Sequence, residues 1–331
     1  MKVDIIGAGA LGLLFGGKLA AGGVQVRFWT RTTEQARLLM EEGVNIEEPN
    51  SALLHIAPSM ILTHSVNDIV DGSMNISEEE VPDWIFVTTK QRSVDHDLLE
   101  IIGQIAGPKT GIVCFQNGIG HIEMFRSAFK NRNIYVAITT EGAKRRDSHY
   151  VIRAGVGSTQ IGIPQASQSL LYNESIDKKK DQFNGEDLLK MLESAGFEAF
   201  LSKEIDRDIY RKLLINAVIN PLTAIWRIPN GELLDTELRV AMLKQLCEEG
   251  MRIYEAHQIS IPSNMYEQII SVCQSTAGNI SSMLSDVLKG APTEIDSING
   301  RLTEMAQAAG ISAPGHETLL NLVRGLEAAG D

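Results

Sequence analysis

Residues 2–12 of the chain read KVDIIGAGALG, and this stretch decides the first domain of the fold. The run from Lys2 to Ile6 predicts a short buried strand, and the residues from Ala10 to Ala21 predict a helix that stops at Gly22-Gly23. The run from Val24 to Thr30 predicts a second strand. The three elements make a βαβ unit at the very start of the sequence.

The glycines of this stretch stand in a GxGxxG pattern, directly after a predicted strand and at the start of a predicted helix. Gly7 permits a tight turn, Gly9 lets the backbone approach a pyrophosphate, and Gly12 lets the helix pack closely on the strand. The unpaired N–H groups of the helix N-terminus suit phosphate oxygens. A plain glycine-rich turn is the alternative interpretation. The candidate cofactor-binding residues of the loop are Gly7, Ala8, Gly9, Ala10, Leu11 and Gly12.

The end of the second predicted strand favours NADPH over NADH. An acidic residue at this point would bind the ribose 2′-hydroxyl of NADH and repel a 2′-phosphate. The chain instead has Thr30-Arg31-Thr32-Thr33, with no carboxylate before Glu34. A guanidinium pairs well with phosphate, so Arg31 is a candidate for the 2′-phosphate. If Arg31 is only a solvated surface residue, the choice of cofactor stays open.

Later segments extend the first domain into an α/β fold. Apolar runs at Trp84–Thr88, Gly111–Phe115 and Ile134–Thr139 alternate with helical or loop segments, which predicts a parallel sheet with helices on both faces. The glycine-punctuated stretch Tyr150–Ile163 predicts an antiparallel extension. The polar stretch Gln165–Asp187 predicts an exposed loop. We therefore predict a Rossmann dinucleotide-binding domain over residues 1–203.

The remainder of the chain, after a predicted strand at Ala199–Ser202, has a helical pattern. A chain of 331 residues is long enough for two domains at roughly 150 residues each. We predict an all-α domain over residues 204–331 that carries the substrate and catalytic groups. The predicted helices are Ile205–Trp226, Leu238–His257, Met265–Ala277 and Glu294–Gly310.

The composition excludes several classes of function. With 42 acidic against 30 basic side chains the formal charge is -12, which disfavours nucleic acid and anionic membrane surfaces as partners. No run of 18 apolar residues predicts a membrane span. The three cysteines have no partner spacing and the seven histidines form no ligand cluster, so we predict reduced thiols in a cytoplasmic protein without a metal.

The predicted helix from Ile205 carries a polar face in an otherwise apolar sequence. Lys212, Asn216 and Asn220 recur every four residues and share one side of the helix. Such a helix is too apolar to lie on a surface, so we expect these groups to be partly buried. Lys212 is then a candidate general acid, with the asparagines as substrate ligands. Alternatively, the asparagines bond to backbone and Lys212 pairs with a carboxylate.

Further polar groups follow in the segments 279–286 and 293–300. Taken alone, Ser282 is an ordinary helix hydroxyl and Glu294 a carboxylate near a helix N-terminus. The whole set of motifs nevertheless resembles the ketopantoate reductase family, in the order in which that family has them. The matching motifs are Gly7–Gly12, Thr89-Lys90, Gln116–Gly120, Arg211–Leu213 with Asn216, Asn220–Ala224, Pro229–Leu233, Asn279–Met283, Thr293–Asp296 and Asn299-Gly300.

This resemblance implies reduction of 2-dehydropantoate to pantoate by NADPH, a step towards pantothenate and coenzyme A. It implies that Lys212 is the proton donor and that Glu294 acts beside it, close to both cofactor and substrate. The residues implied for the substrate are Lys212, Asn216, Asn220, Asn230, Asn279 and Ser282. Those implied for the cofactor outside the glycine loop are Arg31, Lys90, Asn117, Ala143 and Glu294.

Two other functions fit the same motifs. A related 2-keto-acid reductase would share the scaffold and differ in its substrate pocket. A non-catalytic NADP-sensing protein would keep the Rossmann unit but would not need the polar set around Lys212. The sequence leaves the oligomeric state open between a monomer and a homodimer.

Overall fold

The computed structural model describes residues 1–74, 76–130, 132–165 and 185–327. These residues form two compact units. The first takes in the described residues of 1–116 and 121–205, and the second has residues 117–120 together with the chain from Asp206 onward. Each unit has its own apolar core.

Two sheets make up the strands of the first unit. An eight-stranded sheet has the order β12-β11-β8-β7-β6-β1-β2-β5, and a four-stranded sheet has the order β4-β3-β10-β9. The strands are β1 (Lys2–Ile6), β2 (Gln25–Thr30), β3 (Val44–Glu47), β4 (Leu53–Ile56), β5 (Ile61–Ser65), β6 (Trp84–Val87), β7 (Gly111–Cys114), β8 (Ile134–Thr139), β9 (Gly142–Arg145), β10 (Tyr150–Gly155), β11 (Ser158–Gly162) and β12 (Glu198–Leu201).

Six consecutive strands of the large sheet run parallel, in the order of a doubly wound dinucleotide-binding fold. β5, β2, β1, β6, β7 and β8 pair in parallel, and β11 then pairs antiparallel with β8. The chain leaves β1 towards β2 on one side and returns to β6 on the other. Ligands of such sheets bind at the carboxyl ends of the strands where the order reverses, which here is the edge shared by β1 and β6.

Two helices of the first unit begin at side chains that cap their N-termini. Thr32 caps one helix by accepting a hydrogen bond from the Gln35 amide at 3.2 Å, and Asp95 caps another by accepting from the Leu98 amide at 2.9 Å. The helices are α1 (Ala10–Ala21), α2 (Thr33–Glu42), α3 (Asn67–Val70), α4 (His96–Ile105), α5 (His121–Ala128) and α6 (Gly185–Ser194).

The second unit is helical, as the sequence predicts. The core side of α7 packs against α8, and at Gly250 of α8 a Cβ would lie 2.2 Å from Leu214. The helices are α7 (Ile205–Trp226), α8 (Glu237–Ala256), α9 (Met265–Ser275), α10 (Ser282–Leu288), α11 (Arg301–Ala308) and α12 (Pro314–Glu327). A 3-10 turn spans Asn230–Leu234, and a π-helical turn spans Asp296–Gly300.

The α/β class, the all-α second part and the antiparallel extension are confirmed. Sequence patterns did not indicate the four-stranded sheet. The prediction of an exposed loop over Gln165–Asp187 is wrong for its last three residues, because α6 begins at Gly185. This helix buries Leu188. Residues 166–184 of that loop lie outside the described residues. The three cysteines are buried free thiols, and no described helix is long and apolar enough to cross a membrane.

A buried ion pair ties β1 to β2. The carboxylate of Asp4 accepts hydrogen bonds from the Arg27 guanidinium at 2.7 Å and from the Trp29 indole at 2.8 Å. Asp4 and Arg27 are only 2% and 4% exposed. A buried charge that loses its partner is strongly destabilising, whereas exposed pairs contribute little.

We predict that Arg27→Ala lowers the free energy of unfolding by about 3–5 kcal/mol, because it leaves the Asp4 carboxylate buried without its counter-ion. Arg37→Ala removes the exposed pair with Glu41 in the same unit and is expected to cost less than ~1 kcal/mol. Urea unfolding of both variants measures the difference. Equal losses would show that the buried pair does not hold the strands together.

Candidate active site

The glycine loop between β1 and α1 is built by close backbone contacts. Gly7 has φ of +99°, and the Thr88 hydroxyl donates to the Gly7 carbonyl at 2.6 Å. A Cβ at Gly12 would lie 2.0 Å from that same carbonyl oxygen. At Gly9, by contrast, no atom lies within 4 Å of where a Cβ would stand. The loop is therefore tight where it meets the fold and open at Gly9, where the pattern places the pyrophosphate.

Gln35 orients the loop, and no sequence pattern pointed to it. Its side-chain amide donates to the Ala8 carbonyl at 2.8 Å and to the Ser148 carbonyl at 2.8 Å. Because the carbonyl and N–H of one planar peptide point in opposite directions, holding the Ala8 carbonyl turns the Gly9 N–H away from Gln35. The signal that could have found Gln35 is its place in the first turn of α2, next to the end of β2.

A cleft beside the end of β2 matches the expected adenosine end of a dinucleotide site. Its volume is about 400 Å³. Its lining residues are Arg31, Thr32, Thr33, Glu34, Arg37 and Asn67. The N-terminus of α2 opens into it, so both guanidinium groups and the helix dipole favour an anion there. Glu34, in the first turn of α2, is the one acidic side chain in the cleft, and the predicted ligand Arg31 is exposed.

The other predicted cofactor residues of the first unit differ in their placement. Lys90 follows β6 at the carboxyl edge of the sheet, where ligands of such sheets bind. The Gln116 amide donates to the carbonyls of Val87 and Thr89, at 2.9 and 3.0 Å, and so fixes the segment that leads to Lys90. Ala143 lies instead in β9 of the four-stranded sheet, opposite Arg153, and packs against the core.

The polar face of α7 lies in the second unit. Lys212 and Asn216 are half-buried, and Asn220 is only 7% exposed. No described residue forms a hydrogen bond with the side-chain amide of Asn216 or Asn220. Of the alternative interpretation, the asparagine bonds to backbone are missing among the described residues, whereas the pairing of Lys212 with a carboxylate is present, through Glu294. These two amides, one on a half-buried and one on a buried residue, are therefore available to bond a ligand.

Glu294 is the electrostatic partner of Lys212. Burial lowers the pKa of Lys212 to about 8, and the nearby carboxylate of Glu294 opposes this by raising it. The Asn117 amide donates to Glu294 Oε2 at 3.1 Å and thereby orients the carboxylate. The structure thus brings these three predicted residues together within the second unit. The ammonium is charged at neutral pH and yet able to release its proton there.

Asn230, Asn279 and Ser282 gather around one turn between α9 and α10. The Asn230 backbone N–H donates to the Asn279 carbonyl at 3.0 Å, and its side chain donates to Thr276 Oγ1 at 2.9 Å. Asn230 Oδ1 is buried without a described partner. Ser282 is the first residue of α10 and is exposed, as is Asn279.

Two hydroxyls that sequence reasoning missed connect this turn with α7. Thr223 Oγ1 donates to the Asn220 carbonyl at 2.9 Å and lies 2.7 Å from Ser281 Oγ. Ser281 Oγ accepts from the Leu284 amide at 3.1 Å, as the N-cap of α10. These hydrogen bonds fix the backbone of Asn220 and the start of α10 at Ser282. No group of acidic, histidine or cysteine side chains among the described residues could hold a metal ion.

Comparison with protein-family models identifies the family. The model of ketopantoate reductase PanE/ApbA matches residues 3–165, and the model of its C-terminal domain matches residues 204–327. The chain belongs to the ketopantoate reductase family. A 2-dehydropantoate 2-reductase of Archaeoglobus fulgidus is 30% identical, and one of Bacillus subtilis 31% identical, with coverage of 98% and 99% of this chain and 98% of each relative.

Solved structures share the fold over nearly the whole length of this chain. A probable 2-dehydropantoate 2-reductase from Bacillus subtilis has a TM-score of 0.77 at 28% identity and covers 99% of this chain and 100% of its own. A D-mandelate dehydrogenase solved with NADH and anilino(oxo)acetate has a TM-score of 0.83 at 23% identity, with 99% of both chains covered. The second likeness shows the fold alone.

We predict that Lys212 reacts with an amine-acylating reagent with an apparent pKa of about 8, because burial disfavours its ammonium form. Glu294→Gln removes the charge that favours the ammonium, so the pKa of Lys212 should fall further. Peptide mass spectrometry across a pH series measures both. The exposed Lys244 is the internal reference, whose response should not change between the two proteins. An unchanged Lys212 response in the variant would contradict the coupling.

Proposed function

We propose that this chain is a cytoplasmic oxidoreductase that reduces 2-dehydropantoate to (R)-pantoate with NADPH, in pantothenate and coenzyme A biosynthesis. The observation that carries the proposal is the half-buried Lys212 beside Glu294, on a helix whose face also presents Asn216 and Asn220. Full-length relatives that carry the name 2-dehydropantoate 2-reductase support the choice of substrate. The first unit would hold the cofactor, and the second would supply the substrate and catalytic groups.

Substrate binding would rest on amides and a hydroxyl rather than on a cluster of charges. A keto acid offers a carboxylate and a carbonyl, which accept hydrogen bonds from amide N–H groups. The unpartnered amides of Asn216 and Asn220 suit this role, and Asn230, Asn279 and Ser282 surround the neighbouring turn. The single cation among them, Lys212, would bond the keto oxygen.

Reduction of a ketone leaves an alkoxide that needs a proton. When bound, the reduced nicotinamide supplies hydride to the keto carbon. Lys212 would stabilise the developing negative charge on the oxygen and then donate its proton to it. With a pKa of about 8, the ammonium is both populated and acidic near neutral pH. Glu294, oriented by Asn117, would keep enough of Lys212 protonated for this step.

The residues of the first unit fit a dinucleotide. The loop is open at Gly9, and the cleft at Arg31 has room and charge for a phosphorylated ribose. The fold by itself leaves the cofactor open, since a D-mandelate dehydrogenase of the same fold was solved with NADH. Our choice of NADPH rests on Arg31 and Arg37 in the cleft, against the single carboxylate Glu34.

We predict that the purified protein oxidises NADPH faster with 2-dehydropantoate than with pyruvate or 2-ketoisovalerate. Lys212→Ala should lower kcat by about 10²–10⁴ because it removes the proton donor, while NADPH still binds. Lys244→Ala, an exposed lysine in the same unit, is the matched control. The assay follows the absorbance of reduced nicotinamide.

Each failure of that assay has its own meaning. Faster turnover with another keto acid would replace the substrate and keep the enzyme class. Tight NADPH binding without turnover of any keto acid would favour the sensing protein. Wild-type activity in Lys212→Ala would remove Lys212 from the role of proton donor.

We predict that Arg31→Ala raises KM for NADPH by about 10- to 100-fold and leaves KM for NADH nearly unchanged. The reason is that a hydrogen bond to a charged group contributes roughly 1.5–3 kcal/mol, and only NADPH has the 2′-phosphate. Lys109→Ala, at an exposed site of the same unit, is the control. Equal changes for both cofactors would show that Arg31 does not read the phosphate.

A further inference from the structure

Pro221 interrupts the helix that carries the catalytic lysine. It lies inside α7, directly after Asn220. Proline has no N–H and its ring crowds the carbonyl four residues earlier, so the Ala217 carbonyl loses its usual helical donor. The carbonyl that lacks its helical donor belongs to Ala217, which lies between Asn216 and Asn220, the two asparagines of the polar face. A donor from elsewhere is needed if this carbonyl, buried with Ala217, is to be satisfied.

Asn299 supplies that donor. Its side-chain Nδ2 donates to the Ala217 carbonyl at 3.0 Å, and the residue is 0% exposed. Asn299 lies in the π-helical turn Asp296–Gly300 that follows Glu294. That turn is tied to Glu294, because the Ile298 N–H donates to the Glu294 carbonyl at 3.1 Å. The bond therefore joins the segment of Glu294 to the middle of α7.

His316 fixes the orientation of the Asn299 amide. His316 Nε2 lies 3.0 Å from the Leu246 carbonyl, which can only accept, so Nε2 carries the hydrogen. Nδ1 is then an acceptor, and it lies 3.1 Å from Asn299 Nδ2. Both hydrogens of the Asn299 amide are used, and no other orientation satisfies both acceptors. Burial lowers the pKa of His316, which keeps the ring neutral, as this arrangement requires.

Behind His316, the buried Glu249 holds the start of α12. Its carboxylate accepts from the Gly315 N–H at 3.0 Å and from the His316 N–H at 3.2 Å. These bonds satisfy amides at the helix N-terminus, where negative charge is favoured. Asn299 is thus held by a rigid group of buried side chains.

We propose that Asn299 is a positioning residue that replaces the helical hydrogen bond lost at Pro221 and so fixes Lys212, Asn216 and Asn220 of α7 relative to Glu294. The catalytic part of this statement rests on the proposed function. The usual helical hydrogen bond, from an N–H at residue 221 to the Ala217 carbonyl, would fix only α7 itself. A bond from Asn299 instead fixes the helix to the segment that bears the carboxylate.

The test uses a second substitution that restores the missing donor within the helix. Asn299→Leu keeps roughly the volume of the side chain and removes both N–H groups. Pro221→Ala gives residue 221 an N–H that can bond the Ala217 carbonyl. We expect Asn299→Leu to lower kcat for 2-dehydropantoate by about tenfold to a hundredfold through misplacement, with NADPH affinity changed by less than about twofold. In the double variant, kcat should return to within about threefold of Pro221→Ala alone.

A second readout does not depend on turnover. The pH dependence of Lys212 acylation should shift in Asn299→Leu, because the distance from Lys212 to Glu294 changes, and should return in the double variant. If the wild type reduces no keto acid, the proposed function fails while this readout still decides the positioning of Lys212.

If Asn299→Leu does not fold, Asn299→Asp replaces it. An aspartate has the same shape and can accept a hydrogen bond from a protonated His316, but it cannot donate to Ala217. It too should be rescued by Pro221→Ala. A wild-type kcat and Lys212 response in the Asn299 variants would overturn the proposal. So would a folded double variant in which neither recovers.

Discussion

The carbonyl oxygen of Gly7 joins three elements of the first unit, β1, α1 and the end of β6. α1 packs so closely on the end of β1 that a single methyl group at Gly12 would lie 2.0 Å from this oxygen. Thr88, from the end of β6, donates to the same oxygen. The contact fixes α1 at the point where the strand order reverses, and the helix N-terminus faces the carboxyl edge of the sheet as a result. Gly9, with open space where a Cβ would stand, lies in the same loop between these two contacts.

In the second unit, the side chain of Lys212 is largely removed from water and keeps its positive charge. Burial alone would drive Lys212 towards the uncharged amine, and the carboxylate of Glu294 limits that shift. The result is an ammonium with a pKa of about 8, which is mostly charged at neutral pH and would suit proton donation. Hydrogen bonds from neighbouring side chains hold these groups in place. Asn117 holds the Glu294 carboxylate, and the buried Asn299 and Thr223 hold the carbonyls of Ala217 and Asn220 in α7.

Local patterns predicted the elements that bury continuous apolar runs. The βαβ unit, the parallel strands and α7 were readable because period and glycine position determine them. The four-stranded sheet was not, since its strands are only partly buried and have no continuous apolar run, whereas β6 and β7 are buried throughout. Its register depends on tertiary pairing, such as β3 with β10, about a hundred residues apart.

The residues of the candidate site also fall into those that local patterns predicted and those that they did not. Lys212, Asn216 and Asn220 were readable from helical spacing alone, and Arg31 from its place after β2. The roles of Glu294, Asn117 and Asn230 were implied by the family resemblance, because hydrogen bonds between distant segments determine their neighbours. Gln35 was found by neither route, and Asn299 was quoted in a family motif without a role. Each acts on a backbone carbonyl, at Ala8 and Ala217, and a bond to a carbonyl leaves no mark in the partner's residue type.

The double bond made by Gln35 has a consequence for the redesign of cofactor preference. One amide holds the glycine loop at Ala8 and the β9–β10 connection at Ser148, yet it stands in the first turn of α2, the helix beside the proposed ribose site. Point changes at Arg31 or Glu34 leave the clamp intact and are separable from pyrophosphate geometry. Transplanting the whole β2–α2 segment from an NADH-dependent protein would not be separable, because it would carry the clamp away with the specificity residues.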